Sequence, residues 1–296
     1  MPNVNYASQY AKELANAYPY FLYFGDIYNN ANASKYRPVS GKYVMIPSLS
    51  VSGAHAVNRD QITGTFNRNW DNAWQQFACE MDREWDTLVD PMDMSEAGDI
   101  PTIANITKTF NEQQKFAEMD AYLAATLGSA AITNNMADST ALTAANILTQ
   151  WDTYLAAMAD ARVNRDRLVC YVTPATFKLL KEASGITRFI DAGTGIRNID
   201  RNVGKLDGVR IVEVPSDLMK TAYDFTTGFV ASQSAKQINM LFVDTEAVVT
   251  PIVYETSMIS APSAQSKGKY LYYERFYYGA AILNNRKACV YCVYTA

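Results

Sequence analysis

The amino-acid sequence predicts an α+β fold, and three observations predict it. A sharp helical period runs through residues 143–163, where Ile147, Leu148, Trp151, Tyr154, Leu155 and Met158 recur on one face. Extended alternating runs precede it at 41–53 and 63–79 and follow it at 248–254 and 270–279. A second long helical stretch, about 99–131, lies between the first runs and the periodic helix. Strands and helices are thus grouped in blocks, which is the order of an α+β architecture.

In chain order, residues 1–36 read as an arm. They carry Tyr18, Tyr20, Phe21, Tyr23 and Phe24 around Pro19, then an Asn/Ala-rich stretch with no fold signal of its own. Aromatic surface of that density has to be covered, either by neighbouring subunits or by packing on the same chain. Residues 37–79 form a long two-sided hairpin, with Tyr43 in its first run and Trp70 in its second. Neither face reads as cleanly apolar, so the hairpin needs a partner surface. The acids Asp82, Glu84, Asp86, Asp90, Asp93, Glu96 and Asp99 match no calcium loop and read as a solvated connector.

Asp99 and Pro101 mark the start of the long helix. Ile100, Ile103, Phe110, Leu123 and Leu127 give it only a thin apolar stripe, and residues 111–115 are polar throughout, so it is expected to lie on a surface. After the periodic helix, Leu168 to Val172 is a buried strand, and Thr173-Pro174 opens a helix anchored by Phe177 and Leu180. A glycine-rich loop follows, containing Gly193, Gly195, Gly204 and Gly208. Residues 209–215 and 240–244 are further strands, and the tail is β.

The composition bears on function mainly by exclusion. With 296 residues, 49% hydrophobic and 19% charged, the chain can build a real core. Its net charge of −4 gives no footprint for gripping many phosphates. The 20 tyrosines suit interfaces that are neither dry nor fully wet. No basic region followed by an apolar run stands at the start, and no stretch reaches the roughly 18 apolar residues of a spanning helix, so a reducing cytoplasm is expected.

Nor is a catalytic constellation visible. His55 is the single histidine and has no nitrogen or sulfur ligands near it in sequence, so a turn or interface role is expected. No nucleophile elbow, phosphate loop or dinucleotide fingerprint occurs. Cys289 and Cys292 lie three apart on a strand, on opposite faces, and read with the other two cysteines as buried structural thiols. No catalytic, cofactor-binding or metal-binding residue is expected.

Several segments, in this order, carry a resemblance. They are Lys42-Tyr43-Val44-Met45-Ile46-Pro47-Ser48 with Arg59-Asp60, and Arg83-Glu84-Trp85 leading to Asp90-Pro91-Met92-Asp93. Phe116-Ala117-Glu118-Met119-Asp120-Ala121-Tyr122 and Arg167-Leu168-Val169-Cys170-Tyr171-Val172-Thr173-Pro174 follow, and Glu274-Arg275-Phe276-Tyr277-Tyr278-Gly279-Ala280-Ala281-Ile282-Leu283-Asn284 closes the series. In this collinear order the sequence resembles the major capsid proteins of tailed bacteriophages with the Hong Kong 97-type fold. The resemblance implies an arm (1–36), an extended loop (37–79), a peripheral domain with a spine helix (80–140), an axial domain (141–237) and closing strands of the peripheral domain (238–296). It also implies pentamers and hexamers in an icosahedral shell around double-stranded DNA held non-specifically, no membrane, assembly in the bacterial host cytoplasm, and a virion location.

Expected partners are a separate scaffolding protein, a portal and decoration proteins. Expected inter-subunit contacts are Tyr18, Tyr20, Phe21, Tyr23, Phe24, Lys42, Tyr43, Arg59 and Trp70. Some members lock the shell with a Lys–Asn isopeptide bond; Lys42 with Asn284 or Asn285 would be the formal pair here, though no motif brings them together. Two other readings stay open: an encapsulin-like bacterial compartment shell, and a soluble cytoplasmic α/β enzyme or sugar-binding protein.

Overall fold

The computed structural model describes residues 22–29, 37–40, 43–54, 70–92, 103–183 and 204–295. The first element among the described residues is a helical turn, α1 (Gly25–Tyr28). Strands β1 (Arg37–Ser40), β2 (Tyr43–Val51), β3 (Trp70–Ala78) and β4 (Met81–Val89) follow. Helix α2 (Ile103–Phe110) runs through a π-helical turn (Asn111–Lys115) into α3 (Phe116–Thr133). Then come β5 (Ala137–Asp138), α4 (Ile147–Asp160), β6 (Leu168–Val172), α5 (Pro174–Glu182), β7 (Lys205–Leu206) and β8 (Val209–Glu213). Short strands β9 (Tyr223–Asp224) and β10 (Val230–Ala231) precede β11 (Ile238–Asp244) and β12 (Val248–Val249). The chain finishes with β13 (Ile252–Ser260), β14 (Tyr270–Tyr278), β15 (Ala281–Ile282) and β16 (Val290–Tyr294). The expected start of the long helix at Asp99, and the loop at Gly193 and Gly195, lie outside the described residues.

A six-stranded sheet in the order β5-β16-β11-β6-β8-β7 forms the centre. Period-2 alternation sends its side chains to two cores. Val169, Tyr171, Leu241, Val243 and Cys292 face one side, where they meet Phe24 and Ile27 around α1 and the buried residues of α3. Cys170, Val172, Met240 and Phe242 face the other, against Trp151, Tyr154, Leu155 and Met158 of α4 and Phe177 and Leu180 of α5. The α4 stripe thus packs as its period requires. At the start of α5 the Thr173 hydroxyl accepts the Thr176 N–H at 3.4 Å, with Pro174 in the first turn, as the sequence signals.

Two expectations are corrected. The long helix is not a surface strut: Phe116, Met119, Tyr122, Leu123 and Leu127 of α3 are buried, and its core joins both the six-stranded sheet and β14. Its burial escapes a stripe count because much of the covered surface is alanine and glycine. At Gly128 an added Cβ would stand 2.6 Å from Ile238 Cδ1, so the small residue permits the close approach. The acidic connector is in part strand β4, whose exposed Asp82, Glu84 and Asp86 alternate with Arg83, Trp85 and Thr87 on its inner side. Strands β11 and β16 pair in the six-stranded sheet, β11 lying beside β6, whereas β13, β14 and β4 form a separate three-stranded sheet.

Candidate inter-subunit surfaces

The hairpin is real and gains a third strand: β1, β2 and β3 pair antiparallel in that order. Its base is fixed. Val44 and Ile46 are buried with Cys79, Val249 and Tyr277 in a small core of their own. The Tyr277 hydroxyl donates to the Cys79 carbonyl at 2.8 Å. Gly279 lets the two chain segments touch there, since a Cβ on it would lie 3.0 Å from Cys79 Cα.

Away from the base the two faces of the hairpin differ in kind. Strand alternation places Tyr43, Met45, Leu49 and Val51 of β2 on the same face as Trp70 and Trp74 of β3, with Val51 directly opposite Trp70. Tyr43, Leu49, Val51, Trp70 and Trp74 are 47% to 70% exposed, although each is a large apolar side chain. On the opposite face, the distal pair is Ser50 and Asp71. This face carries several exposed large apolar side chains, but exposed Gln76 stands opposite Met45 and Asn72 pairs with Leu49, so neither face is cleanly apolar, as expected. Reading β2 in steps of two from Tyr43 places Leu49 and Val51 on this face.

A smaller apolar patch lies on the outer face of the three-stranded sheet. Exposed Leu88 and Leu271 are directly opposed across β4 and β14, and exposed Met258 stands on neighbouring β13. The inner face of that sheet is covered by the helix; Trp85 stacks on Phe110 with ring centroids 4.1 Å apart.

Of the expected contact residues, Tyr43 and Trp70 are exposed on the hairpin and Tyr23 is also exposed. Phe24 is corrected. It is 0% exposed within its own chain and lies 4.2 Å, centroid to centroid, from the Tyr171 ring, so it is a core residue. Tyr18, Tyr20, Phe21, Lys42, His55 and Arg59 lie outside the described residues. Asn284 and Asn285 are exposed, and the Asn284 backbone N–H donates to Gln75 Oε1 on β3 at 3.4 Å.

The buried titratable groups are structural in their settings. All four cysteines are free and buried, and burial pushes the Cys79 thiol up to about 11 and the Cys292 thiol up to about 12. Such thiols are poor nucleophiles. Burial also raises the Glu118 carboxyl, against the lowering effect of the adjoining Arg83. Among the described residues no group of three or more His, Cys, Asp or Glu is placed to hold a metal ion. No helix among them is long and apolar enough to cross a membrane.

No family model and no curated protein matches the sequence. Solved structures do match the fold. The capsid structure of Cyanophage P-SCSP1u superposes with a TM-score of 0.65 at 14% identity, covering 87% of this chain and 84% of that one. The mature capsid of bacteriophage PhiM1 gives 0.61 at 14% identity, over 86% and 82% of the two chains. A chain of Mycobacterium phage Che8 gives 0.59 at 16% identity, over 86% and 85%. At these identities the likeness establishes the fold: the chain has the α+β fold of phage capsid chains.

Proposed function

We propose that the chain is the major capsid protein of a tailed bacteriophage, a structural subunit of the Hong Kong 97-type that assembles as pentamers and hexamers around a double-stranded DNA genome. The observation that carries this reading is the set of large apolar side chains exposed on one hairpin face. Fully burying a large apolar side chain contributes about 1.5–3 kcal/mol, and a monomer leaves Leu49, Val51, Trp70 and Trp74 without that gain. A neighbouring subunit supplies it, and many such contacts per subunit close a shell whose individual contacts are modest.

In this reading β1 to β3 form the extended loop, and α2 with α3 form the spine helix beneath the three-stranded sheet of the peripheral domain. The six-stranded sheet with α4 and α5 belongs to the axial domain. A net charge of −4 suits a container that holds DNA without gripping it. Scaffolding, portal and decoration proteins complete the assembly, which forms in the host cytoplasm and ends in the virion. Function resides in the interfaces, and no catalytic step is assigned to the chain.

Native particles purified from the host test the genome-enclosing role. Encapsidated DNA, protected from nuclease until the particles are disrupted, is the expected result. Particles filled with enzyme cargo and free of nucleic acid would instead establish a compartment shell.

A further inference from the structure

The helix and the three-stranded sheet beneath it are joined by buried charges of alternating sign. Lys115, in the π-helical turn, has a fully buried side chain. Its ammonium contacts Glu274 of β14 and lies 3.0 Å from Glu255 of β13, and it sits over the Phe276 ring. The Tyr272 hydroxyl donates to the second oxygen of Glu274 at 2.8 Å, so that carboxylate is held from both sides. Three residues further on, Glu118 meets Arg83 of β4 in a two-pronged contact at 2.7 and 2.8 Å. Another Arg83 nitrogen donates to the Phe225 carbonyl at 2.6 Å. The helix therefore presents a cation to an anionic position of the sheet and, about one turn later, an anion to a cationic one.

We propose that Lys115 and Glu118 are positioning residues that together specify a single register of the helix on the three-stranded sheet. Apolar packing contributes to that register through Phe116, Met119, Leu123, Leu127 and the close approach at Gly128, but between them α3 offers small, interchangeable residues, including Ala121, Ala124, Ala125 and Ala131, that leave it under-specified. Charge removes the ambiguity. A slide of three residues in one direction sets Glu112 against Glu274 and Lys115 against Arg83, two like-charge encounters. The opposite slide sets Glu118 against Glu274 and leaves Arg83 facing Ala121. A slide of four brings Asn111 and Gln114, or Met119 and Tyr122, to the two positions, and the sheet charges are then buried without counter-charges. Each alternative incurs the penalty of an uncompensated buried charge.

Replacing a buried ion pair with apolar residues often leaves stability unchanged or raised, so the contribution assigned here is to uniqueness and not to melting temperature. The inference concerns the folded chain and does not rest on the shell reading. The test compares wild type with K115M/E274M/R83M/E118M by thermal melting and by hydrogen-exchange mass spectrometry of peptides covering 81–89 and 270–278. The expected result is a melting temperature within a few degrees of wild type, together with two isotope envelopes in place of one. A single envelope superposable on wild type would overturn the proposal. A second variant, K115E/E255K/E274K/R83E/E118R, reverses every sign in the cluster, keeps the alternation and decides the matter if the first does not fold. A folded chain with one envelope supports the lock, whereas failure to fold or a split envelope overturns it.

Discussion

The buried Asp120 carboxylate accepts the Tyr23 backbone N–H at 2.9 Å and that of Phe24 at 3.3 Å. It thereby fastens the start of the described N-terminal segment to α3. Burial pushes the Asp120 carboxyl up to about 7 from its ordinary 3.8, against the two N–H bonds that lower it. Tyr171 of β6 feels the same carboxylate, and its hydroxyl is pushed far upward by burial, so it stays protonated across this window.

The sign of the pH dependence follows from linkage. Folding raises the affinity of Asp120 for its proton, because burial outweighs the two N–H bonds, so the folded state is favoured most below the ordinary value of 3.8 and loses that advantage as pH rises through about 7. At 1.36 kcal/mol per unit the change is on the order of a few kcal/mol. Folding stability measured by chemical denaturation is expected to fall from acid to neutral pH in wild type and to lose this component in D120N. An unchanged trend in D120N would contradict the assignment to Asp120.

Adjacent aromatic residues on this segment should behave very differently. Phe24 is wholly buried against Tyr171, and F24A should cost about 3–5 kcal/mol. Exposed Tyr23 keeps its backbone bond to Asp120 in Y23A, which should fall within about 0.5 kcal/mol of wild type. Chemical denaturation of both variants checks this, and equal losses would refute the division between core and surface.

At the hairpin base, G279A sets a methyl group 3.0 Å from Cys79 Cα, which can move only with its backbone. Overpacking of this kind costs about 1–3 kcal/mol. The loss should appear in the melting temperature, with accelerated hydrogen exchange at 43–46 and 76–79. A neutral G279A would show that the base can yield.

Where one face of an element is uniformly apolar and its neighbours are near in sequence, the fold was legible. Trp151, Tyr154 and Met158 announce α4, and Thr173-Pro174 announces α5. Buried polar groups hid α3, because Glu118 and Asp120 read as surface until Arg83 and the Tyr23 and Phe24 N–H groups are seen beside them. Strand β4 was masked by Asp82, Glu84 and Asp86, whose regular alternation was taken for scatter. The pairing of β11 with β6 joins segments some seventy residues apart, which no local pattern encodes. Of the candidate contacts, Tyr43 and Trp70 were found from aromaticity. Leu49 and Val51 follow from period 2 read from Tyr43, whereas placing Trp74 beside them needed the cross-strand register.

The central claim is that the chain builds a shell through surfaces that its monomer leaves bare. Negative-stain microscopy of wild type and W70S/W74S, each produced with the proposed scaffolding protein, is the decisive measurement. The account predicts closed particles for wild type, and for the variant small oligomers with an almost unchanged melting temperature, because Trp70 and Trp74 are half-exposed in the folded chain. A defined wild-type dimer with no large particles, or undiminished particles from the variant, would contradict it.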